Sequence, residues 1–285
     1  MSVFGFAKMS GSGNDFILID DRGDALEGQD LSRLARALCR RKFSVGADGL
    51  IVIRTSASAD FGWRFFNADG SEAQMCGNGG RCAARFAFQK GICGPDLSFE
   101  TGAGLVKAKV LEDAVMLGMT DPSDLREAET LDIDGETLQV WFANTGVPHA
   151  VIFSEDPEAL DLSRLGPAIR RHRRFAPEGA NANFARVTSG TSMKVRTYER
   201  GVEAETYACG TGATACAVIA ASRGLVESPV RVTTSGGGVL TIHFTRDDDA
   251  FREVYLEGDA RLIFEAEIGP DALISNDGRS TDSSD

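Results

Sequence analysis

Apolar and polar positions alternate along the chain in two similar series of short segments. Each series opens with an apolar strand, "FILID" from residue 16 in the first and "HAVIF" from residue 149 in the second. A helix follows, and in the first series its apolar face is made by Leu31, Leu34, Ala35 and Leu38. Two further strands then precede a stretch with few charges on any side, "GNGGRCAARFAF" or "GTGATACAVIAA". These two stretches predict buried helices, wrapped by the strands of a β-rich α/β (α+β) fold.

The two series also share sequence at a nearly constant separation. "GSGNDFILID" at 11 returns as "NTGVPHAVIF" at 144, "LSRLARAL" at 31 as "LSRLGPAI" at 162, and "GADGLIVI" at 46 as "GANANFARV" at 179. The two stretches with few charges, "GNGGRCAARFAF" and "GTGATACAVIAA", continue the same order, which predicts an internal duplication. We place the boundary near Asp121-Pro122, giving domains at 1–121 and 122–262. The polar segment 276–285 is predicted to be a disordered tail.

Composition narrows the function classes. A chain of 285 residues with 42% hydrophobic and 25% charged residues is typical of a globular protein. The net charge of −12 argues against binding nucleic acid or an anionic membrane surface, which favour a basic face. The run "RRHRRF" at 170–175 is interpreted as the solvated end of a helix. With no signal-peptide pattern and no apolar run near 18 residues, we expect a cytoplasmic protein.

The cysteines fall into two groups. No C-x-x-C pair occurs and the three histidines stand far from paired cysteines, so we expect no metal site. Within or beside apolar helical segments, four cysteines are interpreted as small core residues: Cys39, Cys82, Cys93 and Cys216. The remaining two, Cys76 and Cys209, each precede a G-x-G sequence and a buried helix, 133 residues apart.

A cysteine at a helix start lies at the positive end of the helix dipole. That position is expected to lower the thiol pKa below about 8.5 and to favour the thiolate. The unpaired N–H groups of the first turn can bind a carboxylate; here they belong to Gly77, Asn78, Gly210 and Thr211. Either loop alone fits a small residue packed at a helix start equally well. Their duplication favours two thiols facing each other across an interdomain cleft.

Two thiols on opposite sides of one carbon can racemise or epimerise it. One thiol removes a proton from one face and the other returns a proton to the opposite face, so the chemistry needs no metal. Neither loop contains a lysine, so pyridoxal phosphate is not expected either. The predicted ligand is a small molecule, an amino acid.

Several long motifs identify a family. These are "KMSGSGNDF", "FFNADGSEAQMCGNGGRC", "NTGVPHAV", "RTYERGVEAETYACGTGATA" and a late "GDA". With them the chain resembles the diaminopimelate epimerases over essentially its whole length. The resemblance implies two pseudosymmetric domains, each a curved mixed sheet around a central helix, with the active site in the cleft between them. It also implies a C-terminal strand within about 263–275 that completes the first domain, a homodimer, and cofactor-independent interconversion of LL- and meso-2,6-diaminopimelate.

The resemblance also assigns roles to residues. Cys76 and Cys209 correspond to the catalytic thiols, with Cys209 as proton acceptor and Cys76 as donor in the LL-to-meso direction. His149 and Glu199 correspond to the pair that adjusts the protonation of these thiols. The implied substrate-binding residues are Asn14, Asn67, Gly77, Asn78, Asn181, Glu199, Arg200, Gly210 and Thr211. Taken alone, Asn14 and Asn181 would be ordinary turn asparagines, and His149 would fit a buried structural histidine.

Two departures from the family pattern bear on the substrate. Val147 stands where many relatives have an asparagine that holds the distal group, and Gly49 where some have glutamine. Alternatives are therefore a two-thiol racemase for another amino acid, such as histidine or a proline-type substrate, and a non-catalytic amino-acid-binding protein. The sequence "YERG" favours a substrate with a charged distal end. A cysteine hydrolase would leave the second cysteine loop without a role.

Overall fold

A computed structural model describes residues 4–133, 135–248 and 250–273. Within these residues the chain forms eighteen strands and four α-helices. The predicted tail, 276–285, lies outside the described residues. The strands of the first part are β1 (Phe4–Gly11), β2 (Asn14–Asp20), β3 (Gly49–Arg54), β4 (Phe61–Asn67), β5 (Glu72–Ala73), β6 (Asp96–Thr101), β7 (Gly104–Val110) and β8 (Val115–Gly118). The others are β9 (Ser123–Ile133), β10 (Glu136–Asn144), β11 (Pro148–Phe153), β12 (Asn181–Ser189), β13 (Ser192–Glu199), β14 (Ala204–Thr206), β15 (Val230–Thr234), β16 (Val239–Asp247), β17 (Ala250–Gly258) and β18 (Arg261–Ile268).

The helices lie between these strands. The α-helices are α1 (Leu31–Leu38), α2 (Gly77–Gln89), α3 (Leu162–Arg170) and α4 (Gly210–Ser222). Short 3-10 helices occur at Pro157–Ala159, Arg173–Phe175 and Pro270–Leu273. The longest helices have 13 residues, and no helix in the described part of the chain has the length and apolar character needed to span a membrane.

The chain divides into two compact units. The first is Met1–Leu117 with Asp259–Asp285, of which residues 4–117 and 259–273 are described, and the second is Gly118–Gly258. The first unit therefore takes its last strand, β18, from the C-terminal part of the chain, where it pairs antiparallel with β1.

The sheets of the two units have the same pairing pattern. In the first unit the strand order is β18, β1, β2, β3, β4, β6, β7 and β8. In the second it is β9, β10, β11, β12, β13, β15, β16 and β17. In both orders the third and fifth pairs are parallel and the other five antiparallel. The predicted duplication is confirmed, and β18 holds in the first unit the place of β9 in the second.

Each sheet is covered by a helix on both faces, which explains the continuous apolar runs in its central strands. In β2, Phe16 and Leu18 belong to the core around α2, whereas Ile17 and Ile19 belong to the core around α1. Successive side chains of a strand point to opposite faces, so a strand buried on both faces is apolar throughout. The second unit has the corresponding cores around α4 and α3.

The two predicted buried helices are confirmed. Ten of the thirteen residues of α4 are buried, as are nine of the thirteen in α2. The basic run lies at the end of α3, as predicted, with Arg171, Arg173 and Arg174 exposed to solvent. Among the cysteines interpreted as core residues, three are buried and Cys93 packs partly buried against the α2 core.

Candidate active site

In the first unit, Cys76 caps the helix α2. Its backbone is extended (φ −145°, ψ 117°), and its Sγ accepts the N–H of Gly79 at 3.5 Å. The N–H groups of the first turn have no partner within the helix, since no preceding turn supplies carbonyls. A Cβ placed on Gly77 would meet no atom within 4 Å, so the backbone at the helix start is open to approach. The site therefore combines a half-buried thiol with N–H groups suited to an anion.

Asn78 and Asn14 are joined in one chain of hydrogen bonds beside this thiol. The Asn78 amide donates to Asn14 Oδ1 at 2.7 Å, and the Asn14 amide donates to Asp48 Oδ2 at 2.9 Å. Behind them, the fully buried Arg81 donates from Nη2 to Asn78 Oδ1 at 2.7 Å and to Ser12 Oγ at 2.7 Å. The structure thus brings Asn14 and Asn78 together, and Arg81 and Asp48 fix the orientation of their amides.

Asn67 lies at the end of β4, where its amide donates to Ser71 Oγ at 2.9 Å across a turn. Its strand partner is Gly49, one of the two departures from the family pattern. A Cβ on Gly49 would lie 2.5 Å from Phe65 Cε2 and 2.8 Å from the Phe66 carbonyl oxygen. A residue with a side chain therefore fits at this position only if β4 moves.

In the second unit, Cys209 caps α4 as Cys76 caps α2. Its Sγ accepts the N–H of Gly212 at 3.4 Å and lies 3.5 Å from Thr211 Oγ1. The expected lowering of the thiol pKa is wrong for this cysteine. Burial raises the pKa of Cys209 to about 12, and the negative charge of Glu199 adds to the rise. The N–H donors act in the opposite direction, but loss of solvation outweighs them.

The residues of "YERG" and Asn181 meet near the carboxyl end of β13. Asn181 Oδ1 accepts the backbone N–H of Arg200 at 2.7 Å, and the Arg200 side chain donates to the Glu178 carbonyl at 3.2 Å. Burial raises the pKa of the neighbouring Glu199 carboxyl. The side-chain oxygen of Asn181 therefore holds the backbone of Arg200, which leaves its amide N–H groups for a ligand.

His149 is fully buried on β11, opposite Asn181 in the parallel pairing with β12. Its Nδ1 lies 3.1 Å from the side-chain nitrogen of Asn183, and its Nε2 has no hydrogen-bond partner among the described residues. Burial lowers the pKa of His149 to about 3, with the positive charge of Arg200 contributing. The ring is therefore neutral at physiological pH. Val147, the second departure, is half-buried two residues before it.

The first unit thus gathers Asn14, Cys76, Gly77 and Asn78, and the second gathers His149, Asn181, Glu199, Arg200, Cys209, Gly210 and Thr211. Two buried polar residues that support these groups, Arg81 and Asn183, were missed from the sequence. The sequence nevertheless contains a pattern that indicates each of them. An arginine inside a helix with few charges needs buried partners, and asparagines two apart in a strand, as in "NAN", share one face.

Solved structures share this fold at low sequence identity. A phenazine biosynthesis protein of the PhzF family from Bacillus anthracis superposes with a TM-score of 0.73 at 17% identity, covering 94% of this chain and 99% of that one. A probable proline racemase from Agrobacterium radiobacter K84 superposes with a TM-score of 0.66 at 15% identity, covering 94% of this chain and 93% of that one. The duplicated mixed sheet around a central helix thus defines the fold class that these proteins share.

Sequence comparison narrows the class to one family. The model of the family described as diaminopimelate epimerase matches residues 6–124 and 141–263. The chain is 48% identical over 279 residues to a diaminopimelate epimerase of Aquifex aeolicus, covering 94% of this chain and 99% of the relative. It is 42% identical over 273 residues to one of Archaeoglobus fulgidus, covering 91% and 94%. The chain belongs to the diaminopimelate epimerase family.

Proposed function

We propose that this chain is an isomerase that interconverts LL- and meso-2,6-diaminopimelate with two thiols and without a cofactor, in the cytoplasm, on the route to lysine and peptidoglycan precursors. One observation carries the proposal. Cys76 and Cys209 cap equivalent helices of the two repeats, and each Sγ accepts the N–H of the third helical residue. A thiol at the same place in both repeats supports a reaction that uses two equivalent groups, one for each face of a carbon.

The proposed reaction moves one proton in and one proton out. In the LL-to-meso direction, Cys209 as thiolate takes the α-proton, and the electron pair delocalises into the α-carboxylate. The thiol of Cys76 then donates its proton to the other face of the same carbon. The α-carboxylate is held by the N–H groups of Gly77, Asn78, Gly210 and Thr211, which stabilise the negative charge that develops there.

Cys209 must lose its proton before it can act as the base. Its raised pKa keeps it a thiol in the free protein. A substrate ammonium group brought near the thiol lowers that pKa, because an opposite charge favours the thiolate. Glu199, whose carboxyl pKa is raised by burial, is the adjacent group that can accept the proton. His149, neutral and buried, serves as a hydrogen-bond donor in the same unit.

The distal end of diaminopimelate carries a second carboxylate and a second ammonium. A guanidinium suits a carboxylate through paired N–H donors, so we assign that carboxylate to Arg200, with the amides of Asn67 and Asn181. Glu199 is assigned to the distal ammonium as well as to the proton of Cys209. Since Val147 offers no amide, the distal carboxylate has one donor fewer than in relatives with asparagine there.

The test is an assay of the purified chain with LL-2,6-diaminopimelate, followed by chiral separation of the products. We expect LL and meso forms to approach equilibrium without added metal or pyridoxal phosphate. Cys76→Ala and Cys209→Ala should each lower turnover by more than about 10³-fold with unchanged circular dichroism, because each thiol serves one face. Near-normal turnover in either variant would refute the two-thiol reaction. Turnover of histidine or proline in place of diaminopimelate would refute the substrate.

We also propose that the chain forms a homodimer through β18. Seven of its eight residues are exposed, and they include Leu262, Ile263 and Phe264. An exposed strand with adjacent large apolar side chains is a site for pairing with another chain. Sedimentation analysis should find a dimer, and Ile263→Asp should give a folded monomer. A wild-type monomer at micromolar concentration would contradict the proposal.

A further inference from the structure

Asn183 occupies a fully buried position on β12 between two of the proposed active-site groups. Its side-chain nitrogen lies 2.9 Å from the Ala150 carbonyl oxygen and 3.1 Å from His149 Nδ1. Its side-chain oxygen accepts the hydroxyl of Thr197 at 2.9 Å. Every polar atom of the amide is therefore paired, as a buried amide requires.

The orientation of this amide follows from its neighbours. Backbone carbonyl oxygens only accept hydrogen bonds. The side-chain nitrogen of Asn183 faces two of them, the backbone oxygen of Ala150 at 2.9 Å and that of Asn181 at 3.4 Å. The group facing them must be the NH₂. The reversed amide would set its oxygen against both carbonyls, so the NH₂ also faces His149.

The amide in turn fixes the tautomer of His149. An NH₂ group can only donate to Nδ1, so Nδ1 must carry a lone pair. A neutral imidazole then has its proton on Nε2. Nε2 is the atom that is buried without a partner among the described residues. A buried donor left unpaired costs about 1–3 kcal/mol, so this N–H is a donor kept available at the expense of stability.

Asn183 also contacts the turn that carries the catalytic thiol. A Cβ on Gly212 would overlap Asn183 Oδ1 and lie 3.2 Å from Thr197 Oγ1. Gly212 is the residue whose N–H donates to Cys209 Sγ. The same amide thus packs against the first turn of α4 on one side and binds the His149 ring on the other.

We propose that Asn183 is a positioning residue that holds His149 as the Nε2–H tautomer and thereby keeps a neutral hydrogen-bond donor in the unit that carries Cys209. The inference rests on the proposed roles of His149 and Cys209. It concerns a residue that touches neither substrate nor reacting atoms, and it acts through the orientation of the ring.

The first test measures the tautomer itself. Uniformly ¹⁵N-labelled protein without substrate is studied at pH 7 by long-range ¹H–¹⁵N correlation of the imidazole rings, with His149→Gln to identify the signals of His149. We expect a protonated Nε2 and an unprotonated Nδ1. A protonated Nδ1, or an imidazolium at pH 7, would overturn the inference. His243 serves as an internal reference, since its Nε2 lies 2.8 Å from Glu257.

The second test changes the amide. In Asn183→Asp, a carboxylate of the same shape accepts from Nδ1–H, so the ring should carry its proton on Nδ1 or become charged. We expect kcat to fall by at least about 10²-fold, the lower range for the loss of one positioned hydrogen-bond donor, with a smaller change in KM. In the matched control Thr197→Val, the NH₂ remains held by the Ala150 carbonyl, so the wild-type tautomer should persist. An Asn183→Asp variant with the wild-type tautomer would overturn the inference.

These outcomes are separable from those of the proposed function. The spectrum of the unliganded wild type requires no turnover. If Cys209→Ala or His149→Gln retained normal turnover, the proposed catalytic roles would fail while the measured tautomer still decided the role of Asn183.

Discussion

Gly79 and Gly212 are equivalent third residues of α2 and α4, yet alanine should have different effects at the two positions. A Cβ on Gly212 would lie closer than 3.0 Å to Asn183 Oδ1, and 3.3 Å from Cys209 Sγ. The atoms nearest to a Cβ on Gly79 would be the terminal methyl of Ile51 at 3.2 Å and two others at 3.5 Å. The nearest neighbour at Gly212 is a polar amide fixed by its hydrogen bonds, whereas the nearest neighbour at Gly79 is a methyl group that has no hydrogen bond to lose.

The magnitude follows from three contributions. Overpacking a core costs about 1–3 kcal/mol. Displacing Asn183 from its partners leaves buried polar atoms unpaired, at about 1–3 kcal/mol. The higher helix propensity of alanine offsets up to about 1 kcal/mol. We therefore expect Gly212→Ala to destabilise the protein by about 1–6 kcal/mol, and Gly79→Ala to change stability by less than about 1 kcal/mol.

The assay is urea unfolding followed by circular dichroism, with the free energies compared at equal slopes m. Gly77→Ala, where a Cβ meets no atom within 4 Å, provides a control for alanine at a helix start. Equal destabilisation by Gly79→Ala and Gly212→Ala would refute the reasoning, because it would show that the Asn183 amide can move aside as easily as a methyl group.

Two further predictions concern pH and substrate choice. Burial raises the pKa of Cys39 and of Cys82 to about 12, whereas thiols in the unfolded chain titrate near about 8.5. The stability that is present below about pH 8.5 should therefore be lost as the pH rises toward 12, by about 1.4 kcal/mol per pH unit for each thiol. Urea unfolding between pH 8 and 10 measures this loss, Cys39→Ala should reduce its slope, and a flat profile would contradict it. Arg200→Met should erase most of a preference of about a hundredfold for diaminopimelate over lysine, since two charge-assisted hydrogen bonds of about 1.5–3 kcal/mol each are lost. Val147→Asn should keep or raise that preference in competition assays, and lysine turnover equal to that of diaminopimelate in the wild type would contradict the assignment.

Much of the fold follows from local sequence. The stretches with few charges that form α2 and α4 could be identified because a helix without a polar face must be buried. The repeat separation of 133 residues then related Cys76 to Cys209 before any contact was known. That β18 completes the first sheet was implied only by the family resemblance, because strand pairing across the length of the chain leaves no local periodicity.

The electrostatics and the supporting residues were less predictable. The helix-start argument correctly placed Cys209 at the start of α4, but the thiol pKa depends on how much solvent the fold removes, and that depends on every element around the thiol. Asn183 is similar. Its place beside Asn181 on one strand face was visible, whereas its partners His149 and Thr197 lie 34 and 14 residues away on other strands.

The most direct test of the two-thiol account is the fate of the α-hydrogen in deuterium oxide. LL-2,6-diaminopimelate is incubated with the enzyme in D₂O, and substrate and product are separated at a few per cent conversion for mass analysis. Because Cys76 exchanges its thiol proton with solvent before donating it, we predict product with one deuterium and recovered substrate that still carries protium. Product that retained the substrate's own hydrogen would show that a single base removes and returns the proton, and would contradict the account.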